Sequence, residues 1–298
     1  MKKKVLLALA LSVAIGLGAY WYAKANDEPT DAVASSTTPT LAKDEPAAPV
    51  VPALRGADRS PSRSVAWTLE SSDDYSMLLA QQLPLAEGGD ATAMSTVAKV
   101  LEYCQLYSES PAGFESHIQF MASLKPSEGQ ALKRVAAKIS KRCSKVAASP
   151  TVPEAAQSWL LRAAEAGDVS ALIRTAILHY EGTSPQERAA LISAALNSGD
   201  PNVVFEAAGL LPFGVDSDSA NLPLTDSEID RMAWEVAACR LGAACDAGQN
   251  LMDAHCVAGS GCNAVGYEDL VRREFLPQGS WSLLDKKVRE IIQYVEEN

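Results

Sequence analysis

The 298-residue chain is 47% hydrophobic and 6% aromatic and has a net charge of −11, so its core is expected to be built mainly from Ala and Leu. Residues 1–25 hold four Lys and no acidic residue, so residues 26–298 carry 22 basic against 37 acidic residues. Because so acidic a chain repels phosphate groups, and no basic run is long enough to offset this, nucleic acid is not an expected partner.

The first 25 residues have the composition of an export signal. Three lysines precede an apolar run over residues 5–23, which is close to the length of about 20 residues that spans a bilayer. Two outcomes stay open: cleavage after Ala25, at the small-residue site Ala23-Lys24-Ala25, or retention as an inner-membrane anchor with Trp21 at the interface. In both, the rest of the chain is periplasmic or otherwise extracytoplasmic.

Residues 26–64 have the composition of a linker. They hold six of the chain's 16 prolines, set among Ala, Ser and Thr. Such a segment buries little apolar surface, so we expect a disordered tether. The folded domain is therefore predicted to occupy residues 65–298.

A Gly-Asp pair interrupts the alanine-rich helical pattern "LLRAAEAGDVSALIRTAILHYEG" of residues 160–182. Gly can adopt the left-handed conformation that ends a helix, and the following Asp can cap the next helix. The pair Gly167-Asp168 therefore predicts a turn between two antiparallel helices. Two further pairs, Gly89-Asp90 and Gly199-Asp200, predict the same turn.

The spacing of these pairs predicts an architecture. Gly167 and Gly199 are 32 residues apart, while Gly89 and Gly167 are 78 apart, which leaves room for one more helix pair. Periods of this size are typical of solenoids of stacked helical hairpins. The predicted fold is thus all-α, a short α/α solenoid behind the export segment and the linker.

The stretch from Arg162 to Gly182 resembles the Sel-like repeat, a tetratricopeptide-related helix–turn–helix unit. The resemblance is carried by the residues Ala163, Ala164, Gly167, Ala171, Tyr180 and Gly182, with Trp159 at an aromatic position of the first helix. Thr175 and Ala176 depart from the family's usual Leu and Gly. The resemblance implies an exported helical scaffold, since members of that family mostly bind other proteins.

Helix boundaries elsewhere support helical structure. Ser184 and Glu187 form the sequence pattern of a capping box, with Pro185 at the first helical position, and residues 225–228 repeat the pattern. Near the C-terminus, one apolar stripe predicts a last helix that closes the stack: Trp281, Leu284, Val288, Ile291 and Val295.

Six cysteines in an exported chain predict disulfides. Cys104 and Cys143 flank the degenerate region between the first two clear repeats. The other four, Cys239, Cys245, Cys256 and Cys262, allow three pairings. We favour Cys239–Cys245 and Cys256–Cys262, because each pair flanks a turn that contains Gly. A zinc site that uses His255 and Cys256 is the alternative, although the cysteine spacing does not match a short zinc knuckle.

The sequence offers few candidates for catalysis. Its three histidines, His117, His179 and His255, are far apart in sequence, and no nucleophile elbow, zinc-protease or phosphate-loop motif is present. The sequence "GSGC" at residues 259–262 follows no predicted strand and indicates a turn. We therefore predict no catalytic, cofactor-binding or metal-binding residue.

Two functions remain. The first is a non-catalytic envelope scaffold that binds a protein or peptide on the concave face of a helical solenoid. The second is an envelope enzyme, or a binder of a peptidoglycan-related ligand. A deep cleft with convergent acids, His and hydroxyls would favour the second function, and a shallow groove would favour the first.

Overall fold

Helices account for nearly all the regular structure in the described part of the chain. The structure, a computed structural model, describes residues 65–146, 152–211 and 226–297. Over these ranges the predicted all-α class is confirmed, since the one extended pairing there is an isolated bridge between Asp246 and Gly266.

The described residues form thirteen α-helices. In chain order these are α1 Val65–Glu70, α2 Tyr75–Glu87, α3 Ala91–Glu109, α4 Pro111–Leu124, α5 Gly129–Cys143, α6 Val152–Glu165, α7 Val169–Leu178, α8 Pro185–Ser198, α9 Pro201–Ala207, α10 Asp226–Arg240, α11 Asn250–Val257, α12 Tyr267–Leu270 and α13 Trp281–Glu297. Short 3₁₀ turns at Tyr180–Gly182 and Ala208–Leu210 follow α7 and α9, and a π turn at Val271–Phe275 follows α12.

The predicted export segment (1–25) and linker (26–64) lie outside the described residues, as does Thr225 of the second predicted capping box. Within the described ranges, no helix is both long enough and apolar enough to cross a bilayer. All described residues belong to one compact unit.

The Gly167-Asp168 pair separates α6 from α7. Gly167 has φ +89°, in the left-handed region that other residues rarely adopt. An Asp168 carboxylate oxygen then accepts a hydrogen bond of 2.8 Å from the backbone N–H of Ala171, which satisfies a donor of the first turn of α7. The other two pairs also combine a left-handed Gly with an Asp cap. Gly89-Asp90, between α2 and α3, caps the Ala93 N–H, and Gly199-Asp200, between α8 and α9, caps the Asn202 N–H, two residues on instead of three.

The predicted capping box at the start of α8 is also present. The backbone N–H of Glu187 donates to the Ser184 hydroxyl at 3.2 Å, and a Glu187 carboxylate oxygen accepts from the Ser184 backbone N–H at 2.8 Å. Pro185 occupies the first helical position, where its missing N–H costs nothing.

Consecutive helical hairpins pack on one another through most of the chain. The most extensive contact joins α3 to α6, and the succession continues through α7, α8, α9 and α10 to α13. The pair α4 and α5 occupies the interval in which the spacing allowed one more hairpin. It packs against α3 without separating α3 from α6.

Small residues allow the close approach of these helices. Ala93, Ala163 and Ala171 are almost completely buried, so backbones meet with little side-chain volume between them. In the C-terminal part, Leu284 and Val288 of α13 are fully buried against an apolar stripe of α10, formed by Ile229, Met232, Ala233 and Val236. Full burial of a side chain such as Leu284 contributes about 2 kcal/mol.

Candidate functional site

An open groove of about 270 Å³ runs between α4 and α5. Its apolar lining consists of Phe114 and Ile118 from α4 and of Ala136 and Ala137 from α5. Its polar lining consists of Glu115, Gln119, Lys133 and Ser140. Because a loop of only four residues joins these antiparallel helices, Lys133 lies toward the loop end of the groove and Glu115 toward the opposite end.

Helix α5 carries the strongest positive charge of the folded part. Seven of the chain's 26 basic residues and one of its 37 acidic residues fall within residues 125–146, so this stretch has a net charge of +6 in a chain of −11. The helix itself holds no acidic residue. Its solvent-exposed cations are Lys133, Arg134 and Lys141, followed by Lys145 just beyond its end.

Among the described residues, two of these four cations have carboxylate partners and two do not. Lys145 lies 2.6 Å from Asp74, and Lys141 lies 3.7 Å from Asp73. Lys133 and Arg134 form no ion pair with any described residue. The sequence did not predict this basic face, because the cations are spread over 13 positions and only the helical period brings them together. The composition of residues 129–143 is the feature of the sequence from which this basic face could have been predicted.

The hairpin of α4 and α5 is held at several points. A disulfide joins Cys143, the last residue of α5, to Cys104 of α3. From α4, the His117 Nε2 atom lies 3.2 Å from the carbonyl oxygen of Val257. From the loop, Lys125 donates to the carbonyl oxygen of Gly259 at 2.6 Å. The groove is therefore built on a fixed hairpin.

A buried polar cluster lies beneath the C-terminal half of α5. Arg142 is 5% exposed and donates a hydrogen bond of 2.7 Å to the side-chain oxygen of Asn250, the first residue of α11. Asn250 donates in turn to the Tyr75 hydroxyl at 2.7 Å. Its backbone N–H donates to a Glu70 carboxylate oxygen at 2.8 Å. This cluster connects α1, α2, α5 and α11.

Burial dominates the electrostatics of this cluster. It raises the pKa of the Glu70 carboxyl, although the Asn250 N–H and the charges of Lys138 and Arg142 act in the opposite direction. It also raises the pKa of the Tyr75 hydroxyl to about 12, so Tyr75 stays neutral near pH 7. The members of the cluster bond to one another, although the buried Nε atom of Arg142 has no hydrogen-bond partner among the described residues. Such a network fixes the helices that it joins.

A second polar cluster joins α3, α7 and α9. Lys99 lies 2.6 Å from Glu206, whose other carboxylate oxygen accepts from the Ser170 hydroxyl at 2.5 Å. Burial raises the pKa of the Asp168 carboxyl, against the hydrogen bond from Ala171 and the charge of Lys99. Because Glu206 and Lys99 are more than 100 residues apart in the chain, their ion pair ties together distant helical hairpins.

A smaller groove of about 230 Å³ lies between α10 and α13. Its lining residues are Asp230, Trp234, Lys287, Glu290, Ile291 and Tyr294. Lys287 lies 2.5 Å from Asp230, so the charged groups at this groove are at least partly engaged with one another.

The histidines lie in three separate environments. His117 contacts the carbonyl of Val257, and His179 is exposed at the end of α7. The His255 ring lies 5.4 Å from that of Tyr267, and burial lowers the pKa of His255. Over residues 65–146, 152–211 and 226–297, no three His, Cys, Asp or Glu side chains converge in a way that could hold a metal ion.

All six cysteines form disulfides. The bridges are Cys104–Cys143, Cys239–Cys245 and Cys256–Cys262. Disulfide formation is thus confirmed, and the pairing of the last four cysteines is the one that the sequence favoured. The zinc alternative does not survive, because Cys256 is bonded to Cys262. Residues 259–262 lie in the turn that this bridge closes.

Comparisons of the chain with protein-family models, with curated proteins and with solved structures found no match.

Proposed function

We propose that the chain is an exported, non-catalytic scaffold of the cell envelope that binds a protein or peptide partner. The observation that carries the proposal is the succession of short helical hairpins, three of which turn at a Gly-Asp pair, in a chain whose six cysteines are all paired. Surfaces built from stacked hairpins bind other chains over extended areas.

The solenoid and the Sel-like family belong to this proposal. Their support is the packing of α3 on α6 and the continued packing through α7, α8, α9 and α10. In this description α4 and α5 form an inserted hairpin on the side of the stack. The helix α13 packs on α10 and covers the end of the stack, where apolar surface would otherwise face water.

Export is proposed on two grounds. Structural disulfides persist in oxidising compartments and are rare in the cytosol of most organisms. The first 25 residues supply the lysines and the apolar run of a signal. The extracytoplasmic domain is then either released after Ala25 or held at the inner membrane by residues 5–23.

The pairing of the buried charged groups favours a binding function over a catalytic one. The buried charges at α5, such as Arg142, and at α9, such as Glu206, are engaged in hydrogen bonds or ion pairs within the described fold. The two grooves described above are open and lie between helices. Shallow grooves of this kind suit peptide or protein contacts better than a reaction that must exclude water.

The experiment is crosslinking in intact cells that produce the tagged full chain, followed by identification of what co-purifies. We expect a discrete protein partner that is absent when residues 1–64 alone carry the same tag. Recovery of muropeptides without any protein would reject the scaffold proposal in favour of the peptidoglycan-ligand alternative. If the tagged chain stays with the membrane fraction, residues 5–23 act as an anchor. If the chain is released, the segment is cleaved after Ala25.

A further inference from the structure

We infer that the end of α11 is an acid-sensitive latch on α4, in which proton uptake by His255 releases α4 from the turn that follows α11. The latch comprises residues 255–262, which are the last residues of α11 and the turn that the Cys256–Cys262 bridge closes. The inference concerns a conformational change within the fold and does not depend on the proposed scaffold function.

The latch joins two hydrophobic clusters of the fold. Cys256 and Val257 are buried in the cluster to which α2, α3, α4, α5 and α6 contribute. The ring of the preceding residue, His255, lies instead 5.4 Å from the ring of Tyr267 and 6.0 Å from that of Phe275. Both of these aromatic residues belong to the C-terminal cluster. A change at His255 therefore acts where the two clusters meet.

The backbone couples His255 to the turn. The His255 carbonyl oxygen accepts from the backbone N–H of Ser260 at 2.9 Å, and the Cys256 carbonyl oxygen accepts from that of Gly259 at 3.0 Å. With Gly259 at φ +93°, these two bonds form the helix-ending motif in which a left-handed residue folds the chain back over the last turn. Because the Cys256–Cys262 bridge closes the same turn, we expect residues 255–262 to move as one unit.

The turn in the latch holds α4 and the start of the loop after it. The Val257 carbonyl oxygen lies 3.2 Å from the His117 Nε2 atom, and the Gly259 carbonyl oxygen accepts from Lys125 at 2.6 Å. An added Cβ atom at Gly259 would collide with the end of the Met121 side chain. The helix α4 thus lies directly on the turn, and its position depends on that of the latch.

Other contacts keep the rest of the hairpin in place when the latch opens. The Cys104–Cys143 bridge holds the far end of α5. Lys138 and Arg142 of α5 bond to the first half of α11, which precedes the latch. The opening should therefore be confined to α4 and the loop between α4 and α5.

The surroundings of the His255 ring do not favour a positive charge. From α12, the Tyr267 hydroxyl donates to the Glu235 carboxylate of α10. From the π turn, Glu274, next to Phe275, accepts from a backbone N–H of the latch. Burial is the sole cause that lowers the pKa of His255 from its ordinary value of 6.5, so no described charge offsets it. The closed latch consequently favours the neutral ring, and a proton favours a state in which the ring reaches water.

Acid therefore favours opening. The closed latch binds the proton more weakly than an open latch, in which His255 titrates near 6.5. Between pH 7.5 and 5.5 the open state should gain up to about tenfold in population relative to the closed state. Glu235 acts in the opposite direction, because burial raises the pKa of its carboxyl. The effect of His255 must therefore be isolated by substitution.

Hydrogen–deuterium exchange of the full chain with its disulfides formed measures the opening at pH 7.5 and 5.5, after correction for the intrinsic pH dependence of exchange. We expect the protection of residues 111–124 to fall by up to about tenfold at the lower pH, while that of α7 does not change. His255→Phe keeps an aromatic ring beside Tyr267 and has no group that titrates. The protection of α4 in this variant should be no lower at pH 5.5 than at pH 7.5.

Two matched variants identify the histidine that responds. His179→Gln changes an exposed histidine after α7 and should leave the response of α4 as in wild type. His117→Gln changes the other histidine at the latch and keeps a donor for the Val257 carbonyl oxygen, so it should also keep the response. An NMR titration of the imidazole protons in wild type should give His255 a midpoint below 6.5, a readout that needs no variant.

Three results would overturn the inference. The first is a fall in α4 protection that persists in His255→Phe, and the second is a fall that disappears in His117→Gln. The third is unchanged protection of α4 in wild type while His255 titrates, which would show that the ring turns into water by itself. If circular dichroism shows that His255→Phe does not fold, the wild-type data decide. A His255 midpoint at or above 6.5 then rejects the latch, and a lower midpoint together with the fall in α4 protection supports it.

Discussion

Lys138 of α5 and Asp253 of α11 form an ion pair of 2.6 Å, in which Asp253 is 1% exposed and Lys138 covers it from the solvent side. Lys138 also donates to the carbonyl oxygen of Gly248, and the same Asp253 oxygen accepts from the Tyr103 hydroxyl at 3.3 Å. The pair connects the hairpin that carries the candidate groove to the disulfide-bonded C-terminal region.

Replacement of Lys138 by Met tests the contribution of this pair. The variant leaves the Asp253 carboxylate buried without its cation, so we expect a loss of about 3 kcal/mol in the free energy of unfolding. Urea unfolding monitored by circular dichroism measures the loss. Lys141→Met is the matched control, because Lys141 and its partner Asp73 are both exposed, and it should change stability by less than about 0.5 kcal/mol. Equal effects of the two substitutions would contradict the role given to Lys138.

The three disulfides should differ in their contribution to stability. Cys104 and Cys143 are 39 positions apart, whereas the partners in each of the other bridges are 6 positions apart. In the chain-entropy account, the longer loop loses more freedom in the unfolded state, which gives about 4 kcal/mol against about 2 kcal/mol. The double variant C104A/C143A should therefore lower the urea midpoint more than C239A/C245A, with both measured without reductant. The reverse order would show that loop length does not govern these bridges.

Local signals in the sequence predicted much of the fold. Gly167 and Asp168 act on residues within one turn of themselves, and Cys256 and Cys262 lie on either side of a short turn. Such features depend on a few neighbouring residues, so the sequence alone identifies them. The helical class follows equally from apolar periodicity.

Contacts between distant segments were not predictable in the same way. The sequence of α6 does not show that this helix packs on α3 instead of on α5. Likewise, the sequence around Asp253 does not show that Lys138 covers its carboxylate. The basic face at Lys133 and Arg134 was not predicted, because its cations do not form a continuous basic segment of the sequence. These features depend on which helices meet, and that choice depends on the packing of the whole chain.

Glu235 should produce a distinctive pH dependence. It lies in the C-terminal core, where it accepts hydrogen bonds from the Tyr267 hydroxyl and, at 3.3 Å, from Arg231. Burial raises its pKa above the ordinary value of 4.5. The folded state thus holds the proton more tightly than the unfolded state. The stabilisation that this supplies is full below about pH 4.5 and is lost as the pH rises through the folded pKa.

Glu235→Gln removes that ionisation and keeps an oxygen that can accept from Tyr267. We expect the variant to gain stability relative to wild type as the pH is raised from 4 to 8, as measured by urea unfolding across this range. Glu290→Gln, at an exposed carboxyl of α13, is the control and should show a much smaller trend. A difference between Glu235→Gln and wild type that is constant with pH would contradict a raised pKa for Glu235.

Substitution of Gly167 tests the turn between α6 and α7. Its φ of +89° lies where a Cβ atom is strained, although an added Cβ would meet no atom within 4 Å. Gly167→Ala should therefore cost about 1 kcal/mol through backbone strain alone. Gly182 offers a matched control, because it also has open space around it and lacks a left-handed φ. Gly182→Ala should change the free energy of unfolding by less than about 0.5 kcal/mol, and equal losses at the two positions would show that the left-handed turn at Gly167 is not what closes α6.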